Sequence, residues 1–251
     1  MASGLTMAHE GRLSPRLREC ADALRAMVLA SPEDTLIGRE SDLRQRLGCN
    51  QAMLRQIARQ LEVQGLLYIR RGASGGYFGS RPSAEMVVDM AAIYMLGRGV
   101  TLDATLLACR SSTVYAARVA AERSMDSRHR PEMERLYAAL KAKIPEDTGC
   151  AEFVFDEGLI DDAIFVMIEI PPLELFIKML NRFSLQEFGS EMFERQPERR
   201  RSYRALRLKT LNYILNGDAD GAAKAMEQVI ELIYKWLPKA ALLKVVGEIS
   251  G

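Results

Sequence analysis

The chain has 251 residues, of which 48% are hydrophobic, and a formal net charge of +1 at pH 7. This length allows one large domain or two smaller ones. The net charge is near zero, so the protein is not one of the strongly basic or acidic chains whose binding partners can be inferred from net charge alone. No stretch approaches 18 consecutive apolar residues, and the first 20 residues lack the apolar centre of a secretory signal. We therefore expect a cytoplasmic protein without a transmembrane helix.

Three helices are predicted in the first 65 residues. The first begins after Ser14, a good N-cap, with Pro15 at the first helical position. The second, "ESDLRQRLG", has two leucines four residues apart and Gly48 placed to end it in a left-handed cap. The third, "CNQAMLRQIARQLEVQG", follows at once, with apolar residues at i, i+3, i+4 and i+7 and Gly65 as its stop. Two helices that meet across a tight glycine turn indicate a helix-turn-helix.

A β-hairpin is predicted directly after the third helix. "LLYI" indicates a strand, "RRGASGG" a turn and "YFGS" a returning strand. Three helices and a two-stranded hairpin predict a winged helix-turn-helix over residues 1–80, with the third helix in the major groove of DNA and the hairpin beside it. The glycines let the backbone approach the duplex, and Arg70 and Arg71 supply charge there. The alternative is that "ASGG" is simply a flexible turn.

Positive charge is concentrated in this part of the chain. Residues 36–81 contain eight arginines against three acidic residues, a local balance of +5. The first lysine is Lys141, so every positive side chain before it is an arginine, whose planar fork suits phosphates and guanine edges. The alternative interpretation is a solvated basic face.

The start of the third helix carries the predicted base contacts. Asn50 and Gln51 can make two hydrogen bonds to adenine, and Arg55, one turn further on, can reach guanine or a phosphate. Each good base contact would supply about 1–3 kcal/mol of discrimination. Arg44, Arg46 and Arg59 are either phosphate contacts or solvated surface.

The segment "LRQRLGCNQAMLRQIARQLEVQGLLYIRRGASGGYF" resembles the DNA-binding domain of the GntR family of bacterial transcription regulators, and the resemblance covers roughly residues 12–80. The chain differs from the family pattern at Ser41 and Gln51, where the family usually has arginine. The resemblance implies that DNA is contacted from the second helix, the start of the third helix and the wing tip, through Ser41, Asn50, Gln51, Ala52, Met53, Arg55, Arg71 and Gly72.

Residues 81–251 are predicted to form an all-helical bundle, because seven segments with helical spacing follow one another without a strand-like run. We also expect this domain to bind an effector and to dimerise, as the following resemblance implies. "RGVTLDATLLACRSSTVYAARVAAERS" and "ILNGDADGAAKAMEQVIEL" are similar to the first and last parts of the FCD effector domain of the FadR subfamily. This resemblance implies a bundle of six or seven helices around a ligand cavity.

Many FCD domains hold a divalent metal with one Asp and three His, and this chain lacks such a set. The matching positions hold Gly158, Asp162, Arg207 and Val229. The two histidines, His9 and His129, fall outside the predicted bundle helices, and the four cysteines are widely separated. We therefore expect a cavity without a metal or another cofactor.

Charged side chains of the bundle are the candidate effector contacts. Arg110 and Arg207 are predicted to pair with an anionic organic effector, with Asp162 at the same site, because a buried arginine needs a partner. The alternative is that the arginines pair with Asp161, Asp162 or another helix acid.

No pattern in the sequence indicates catalysis, since nucleophile–His pairs, a phosphate loop with its lysine and His/Cys clusters are all missing. The sequence predicts a ligand-responsive transcription regulator, a repressor that binds a near-palindromic operator as a homodimer. The alternative is a module that binds an acyl compound or organic acid, or a protein partner, without binding DNA.

Overall fold

The computed structural model describes residues 14–72 and 74–237, and for residues 183–191 it describes the backbone alone. Within these residues the chain forms ten helices and three short strands, which confirms the mainly helical fold class. Close packing divides the chain into two compact units, Met1–Val87 and Val88–Gly251. The domain ranges 1–80 and 81–251 stay predictions. In the described part of the chain, no helix is both long enough and apolar enough to cross a membrane.

The first unit begins with the three predicted helices, α1 (Pro15–Ala30), α2 (Glu40–Leu47) and α3 (Gln51–Val63). Ser14 caps α1, since its side chain accepts a hydrogen bond from the backbone N–H of the third helical residue at 3.3 Å. Gly48 ends α2 at φ 58° and ψ 40°, the left-handed conformation that glycine adopts without steric cost. The turn between α2 and α3 therefore forms as the glycine predicts.

The core of this unit lies between the three helices. The predicted apolar face of α3 is confirmed, because every member is fully buried. Burial of such side chains is the main stabilising contribution to a small helical domain. The side chains with no exposed surface at this centre are Leu24, Val28, Leu43, Leu54, Ile57, Ala58 and Leu61.

The wing belongs to a three-stranded antiparallel sheet. Its strands are β1 (Leu36–Gly38), β2 (Leu67–Arg70) and β3 (Gly76–Gly79), in the order β1-β3-β2. The prediction of a two-stranded hairpin is therefore incomplete. With three residues, β1 is too short to show an alternating pattern, and it is held by pairing with β3, where Leu36 lies opposite Phe78.

Seven helices follow, and the described residues between 84 and 237 contain no strand. One helix differs from its prediction: α8 continues ten residues beyond Phe183, through a segment that contains Gly189. The helices are α4 (Ala84–Gly97), α5 (Leu102–Ser124), α6 (Arg130–Ala142), α7 (Cys150–Ile168), α8 (Pro171–Phe193), α9 (Pro197–Leu215) and α10 (Ala219–Trp236).

Helix α5 occupies the centre of the second unit, where it packs against α7, α8, α9 and α10. Its buried residues include four alanines, Ala116, Ala117, Ala120 and Ala121, each at most 1% exposed. Small side chains allow neighbouring helix axes to approach closely, so four helices can pack around one. The bundle therefore surrounds α5.

Candidate DNA interface and bundle cavity

The N-terminal end of α3 is exposed and presents polar side chains. Gln51, Ala52 and Arg55 are exposed, whereas Met53 is partly buried against the core. Asn50 is the N-cap of α3, and its Oδ1 accepts a hydrogen bond from the backbone N–H of Met53 at 2.8 Å. The helix therefore uses the acceptor atom of Asn50, which leaves Gln51 and Arg55 as the better-placed candidates for reading bases.

Gln51 and Arg55 are joined by a carboxylate that the sequence analysis did not single out. Gln51 Nε2 donates to Glu40 Oε1 at 2.5 Å, and the Nε and Nη2 atoms of Arg55 lie 3.4 and 3.5 Å from Glu40 Oε2. Glu40 also lies near Tyr77 of β3. Burial of this tyrosine, together with the negative charge of Glu40, raises the pKa of its hydroxyl. Glu40 is the first residue of α2, and no spacing in the sequence indicates that it contacts α3.

The two wing arginines differ in their surroundings. Arg70 lies over the Phe78 ring, with its Cζ 4.4 Å from the ring centroid, and donates from Nη2 to the Tyr68 hydroxyl at 2.8 Å. Arg71 is exposed and makes no hydrogen bond or ion pair with another described residue. Gly72 follows at φ 107°, a conformation that favours glycine. The wing tip therefore presents Arg71, while Arg70 lies along the sheet.

The predicted contacts on α2 are both exposed. Ser41 Oγ donates to Asp42 Oδ1 at 3.1 Å, within the first turn of the helix. The Arg44 guanidinium makes no hydrogen bond or ion pair with another described residue. An exposed guanidinium without an acid partner is available to an external anion, and the phosphate contact at Arg44 stays a prediction beside the alternative of solvated surface.

A cavity lies inside the second unit, bounded by α5, α7, α8, α9 and α10. The space inside it that is open to the centre of a water-sized sphere is about 120 Å³. Most of the walls are apolar, and the charged and polar groups lie mainly on α7, α8 and α9. The polar lining consists mainly of Glu157, Asp161, Asn181, Tyr203 and Arg207, and the apolar lining includes Leu102, Leu106, Met226, Val229, Ile230 and Ile233.

A buried network of ion pairs forms the polar side of the cavity. Glu157 accepts from Arg204 Nε at 2.5 Å and from Arg207 Nε at 3.2 Å. Arg207 Nη2 also donates to Asp161 Oδ1 at 2.5 Å, and Arg204 Nη2 lies 3.2 Å from Asp156 Oδ2. Burial raises the pKa of the Glu157 carboxyl, while Arg207 and Arg204 oppose that shift. Lys143 Nζ donates to Asp156 Oδ1 at 2.8 Å, so the network contains three cations and three carboxylates and is neutral overall.

The three candidate effector residues lie in different places. Arg207 lines the cavity and pairs with Asp161, as the alternative prediction states. Arg110 is 42% exposed, pairs with Glu227 and is outside the cavity lining. Asp162 is 61% exposed, lies 3.6 Å from Lys178 Nζ and is also outside this lining. The three residues therefore do not form one site.

The four positions that the sequence analysis matched to the metal ligands of FCD domains do not all line the cavity. Gly158, Arg207 and Val229 line it, whereas Asp162 lies outside the lining and its neighbour Asp161 lies within it. Neighbouring helical residues point about 100° apart, so a difference of one residue separates a carboxylate outside the cavity from one inside it. Among the residues whose side chains are described, no group of three or more His, Cys, Asp and Glu could hold a metal. His9 lies outside the described residues.

Substitution of Glu157 tests whether the buried ion-pair network contributes to stability. We expect Glu157→Gln to lower the free energy of unfolding by about 3–5 kcal/mol, because it leaves two buried guanidinium groups short of a carboxylate. The control is Glu152→Gln, which alters an exposed carboxylate paired with Lys143 and should cost less than about 1 kcal/mol. Urea unfolding followed by Trp236 fluorescence reports on this unit, since the chain has one tryptophan. Equal costs for both variants would contradict the network.

Comparison with known proteins shows a shared fold. No family model matches the chain, and no curated protein sequence matches it. It is similar to the solved structure of Streptococcus agalactiae GntR, with a TM-score of 0.56, 14% identity and coverage of 88% of this chain and 100% of that chain. E. coli McbR/YncC is also similar, with a TM-score of 0.41, 14% identity and coverage of 90% and 100% respectively. The first likeness shows that the two chains have the same general fold.

Proposed function

We propose that the protein is a ligand-responsive DNA-binding transcription regulator of the GntR type that acts as a homodimeric repressor. The observation that carries this proposal is the exposed start of α3, with Gln51 and Arg55 on its surface, in a winged helix-turn-helix whose wing tip presents Arg71. A helix of this kind fits the major groove, where amide and guanidinium groups distinguish bases. The fold shared with S. agalactiae GntR supports the same interpretation.

We assign affinity and selectivity for DNA to two different groups of exposed side chains. Arginines without acid partners, such as Arg44 and Arg71, would contact phosphates and supply affinity. Gln51 and Arg55 would contact base edges and supply selectivity. The bundle cavity would hold the effector, whose binding would shift the balance between states that differ in DNA affinity.

Selection of duplexes from a random library, followed by binding measurements at several salt concentrations, tests the proposal. We expect one near-palindromic sequence to be enriched and the logarithm of the association constant to fall linearly with the logarithm of salt concentration. The slope should be about −0.9 for each neutralised phosphate. Absence of salt-dependent binding would favour the alternative module that binds no DNA.

Two arginine substitutions separate base reading from phosphate contact. Arg55→Ala should weaken specific binding by about 1–3 kcal/mol and relax selection at one position of each half-site. Arg71→Ala should weaken binding to all sequences and reduce the salt slope by about 1. Arg128→Ala is the control, because this arginine is 81% exposed in the other unit. Unchanged selection with Arg55→Ala would exclude it as a base contact.

Glu40 is expected to affect selectivity through its contacts with Gln51 and Arg55. Glu40→Gln removes a negative charge beside the proposed phosphate surface and loosens the orientation of both partners. We expect affinity for random duplex to rise and the ratio of specific to non-specific affinity to fall, measured by fluorescence anisotropy. Glu19→Gln is the matched control, since Glu19 is an exposed carboxylate 3.4 Å from an Arg16 nitrogen. A ratio that stays at the wild-type value would refute this role.

The homodimer is supported by an uncovered apolar face on α4. Val88, Ala92 and Met95 are buried, whereas Met90, Ile93 and Tyr94 are 63%, 62% and 63% exposed. Ile93 and Tyr94 lie three and four positions after Met90, so the three residues share one side of the helix. Contiguous exposed apolar surface of this kind is typical of protein interfaces.

Ile93→Glu should therefore dissociate the proposed dimer, because it places a charge in an apolar contact. Sedimentation velocity measures the oligomeric state, and operator binding should weaken in parallel when one protomer binds without its partner. Ile144→Glu is the control, since Ile144 is 60% exposed outside α4. A wild-type monomer, or an Ile93→Glu dimer of unchanged affinity, would overturn the assignment of this face.

A further inference from the structure

The cavity has too little spare positive charge to hold an anion. The guanidinium of Arg207 already contacts Glu157 and Asp161, and Asn181 Nδ2 donates to the second oxygen of Asp161 at 3.2 Å. A ligand carboxylate would lie beside two carboxylates, and a ligand ammonium would lie beside a buried guanidinium. Since unpaired charge is costly in a buried site, this lining disfavours both charged forms.

Two donors of the lining have capacity that the protein does not use fully. Among the described residues, the hydrogen-bond partner of Arg207 Nη1 is the Met226 sulfur, a weak acceptor at 3.8 Å. The Tyr203 hydroxyl makes no hydrogen bond with another described residue, although its ring packs edge to face against Phe153 and Phe193. Burial raises the pKa of Tyr203, so this hydroxyl stays protonated and can donate.

These donors belong to the charged end of the cavity, and the remaining walls are apolar. Tyr203 lines the same cavity as Arg207, Glu157 and Asp161, the members of the ion-pair network. Leu106, Val229 and Ile233 contribute to the apolar walls. A fitting ligand therefore combines an apolar chain with a head group that accepts hydrogen bonds and has no net charge.

We propose that the cavity binds an uncharged amphiphile, an apolar chain with an amide or ester carbonyl, whose oxygen accepts hydrogen bonds from Tyr203 and Arg207. This inference rests on the proposed function, since it names the chemical class of the effector assigned to the cavity. It also replaces the anionic effector that the sequence predicts, because the buried acids already neutralise Arg207.

Thermal melting of the full-length protein with three probes of equal chain length tests the ligand class. Hexanamide should raise the melting temperature progressively with its concentration, because a ligand that binds only the native state stabilises it. Hexanoate and hexylamine, both charged at pH 7.5, should produce no shift at the same concentrations. A shift from either charged probe equal to that from hexanamide would overturn the proposal, and so would the absence of any shift.

Two substitutions locate the binding site. Tyr203→Phe should leave the melting temperature of the free protein nearly unchanged and weaken hexanamide binding about three- to tenfold, the effect of one hydrogen bond. Tyr213→Phe is the matched control, because Tyr213 is a half-buried tyrosine on the same helix outside the cavity lining. Val229→Phe should abolish the hexanamide shift by filling the cavity. Equal hexanamide affinity in Tyr203→Phe and wild type would overturn the assignment of this hydroxyl.

The proposed regulator and the proposed ligand class can fail separately. Fluorescence anisotropy with the selected duplex, measured without any probe, tests DNA binding on its own. If DNA binding is absent while hexanamide still stabilises the protein, the ligand class stands and the regulator does not. If DNA binds and a charged probe stabilises the protein instead, the regulator stands and the ligand class does not.

Discussion

The polar side of the bundle cavity depends on the buried contact between Arg204, Arg207 and the carboxylates of α7. Removing these groups from water is costly, and their mutual attraction repays that cost only with good geometry and complete pairing. Well-packed apolar residues in such places often give equal or greater stability. The network is therefore better explained by the cavity that it borders than by folding energy. It fixes a polar, electrically neutral surface against which apolar walls can hold a ligand.

The need to pair every buried charge also determines which side chains of the cavity remain available to a ligand. Glu157 and Asp161 use their oxygens on Arg204, Arg207 and Asn181, so the acids are occupied by the protein itself. The groups with unused capacity are donors, the Tyr203 hydroxyl and one nitrogen of Arg207. Complementarity to donors requires an acceptor in the ligand. The ligand class therefore follows from the donors that the protein leaves without a strong acceptor. The number of charges in the cavity alone does not reveal this class.

Helix ends and apolar faces could be predicted from the sequence because their causes are local. Ser14 as a cap, Gly48 in a left-handed turn and the apolar spacing of α3 each depend on a few neighbouring residues. Strand β1 could not be predicted, because it exists through pairing with β3. Asp162 was the candidate chosen from the sequence, but Asp161 lines the cavity and Asp162 does not. A shift of one residue rotates a helical side chain by about 100°, and sequence spacing alone does not resolve such a shift.

The partners of the candidate residues were the least predictable feature, since they join segments far apart in the chain. Glu40 contacts Arg55 across 15 positions, and Arg207 contacts Asp161 across 46. Both residues are arginines, so composition does not distinguish them. In the structure, Arg207 is buried with a carboxylate oxygen 2.5 Å from its guanidinium, whereas Arg55 is exposed and its carboxylate partner lies 3.4 Å away. An exposed, loosely held guanidinium can exchange its partner for a phosphate or a guanine at little cost, because water already screens the original pair. A buried guanidinium cannot make that exchange without leaving a carboxylate unpaired. Arg207 can therefore contribute only to binding a neutral ligand, whereas Arg55 can bind an anionic one.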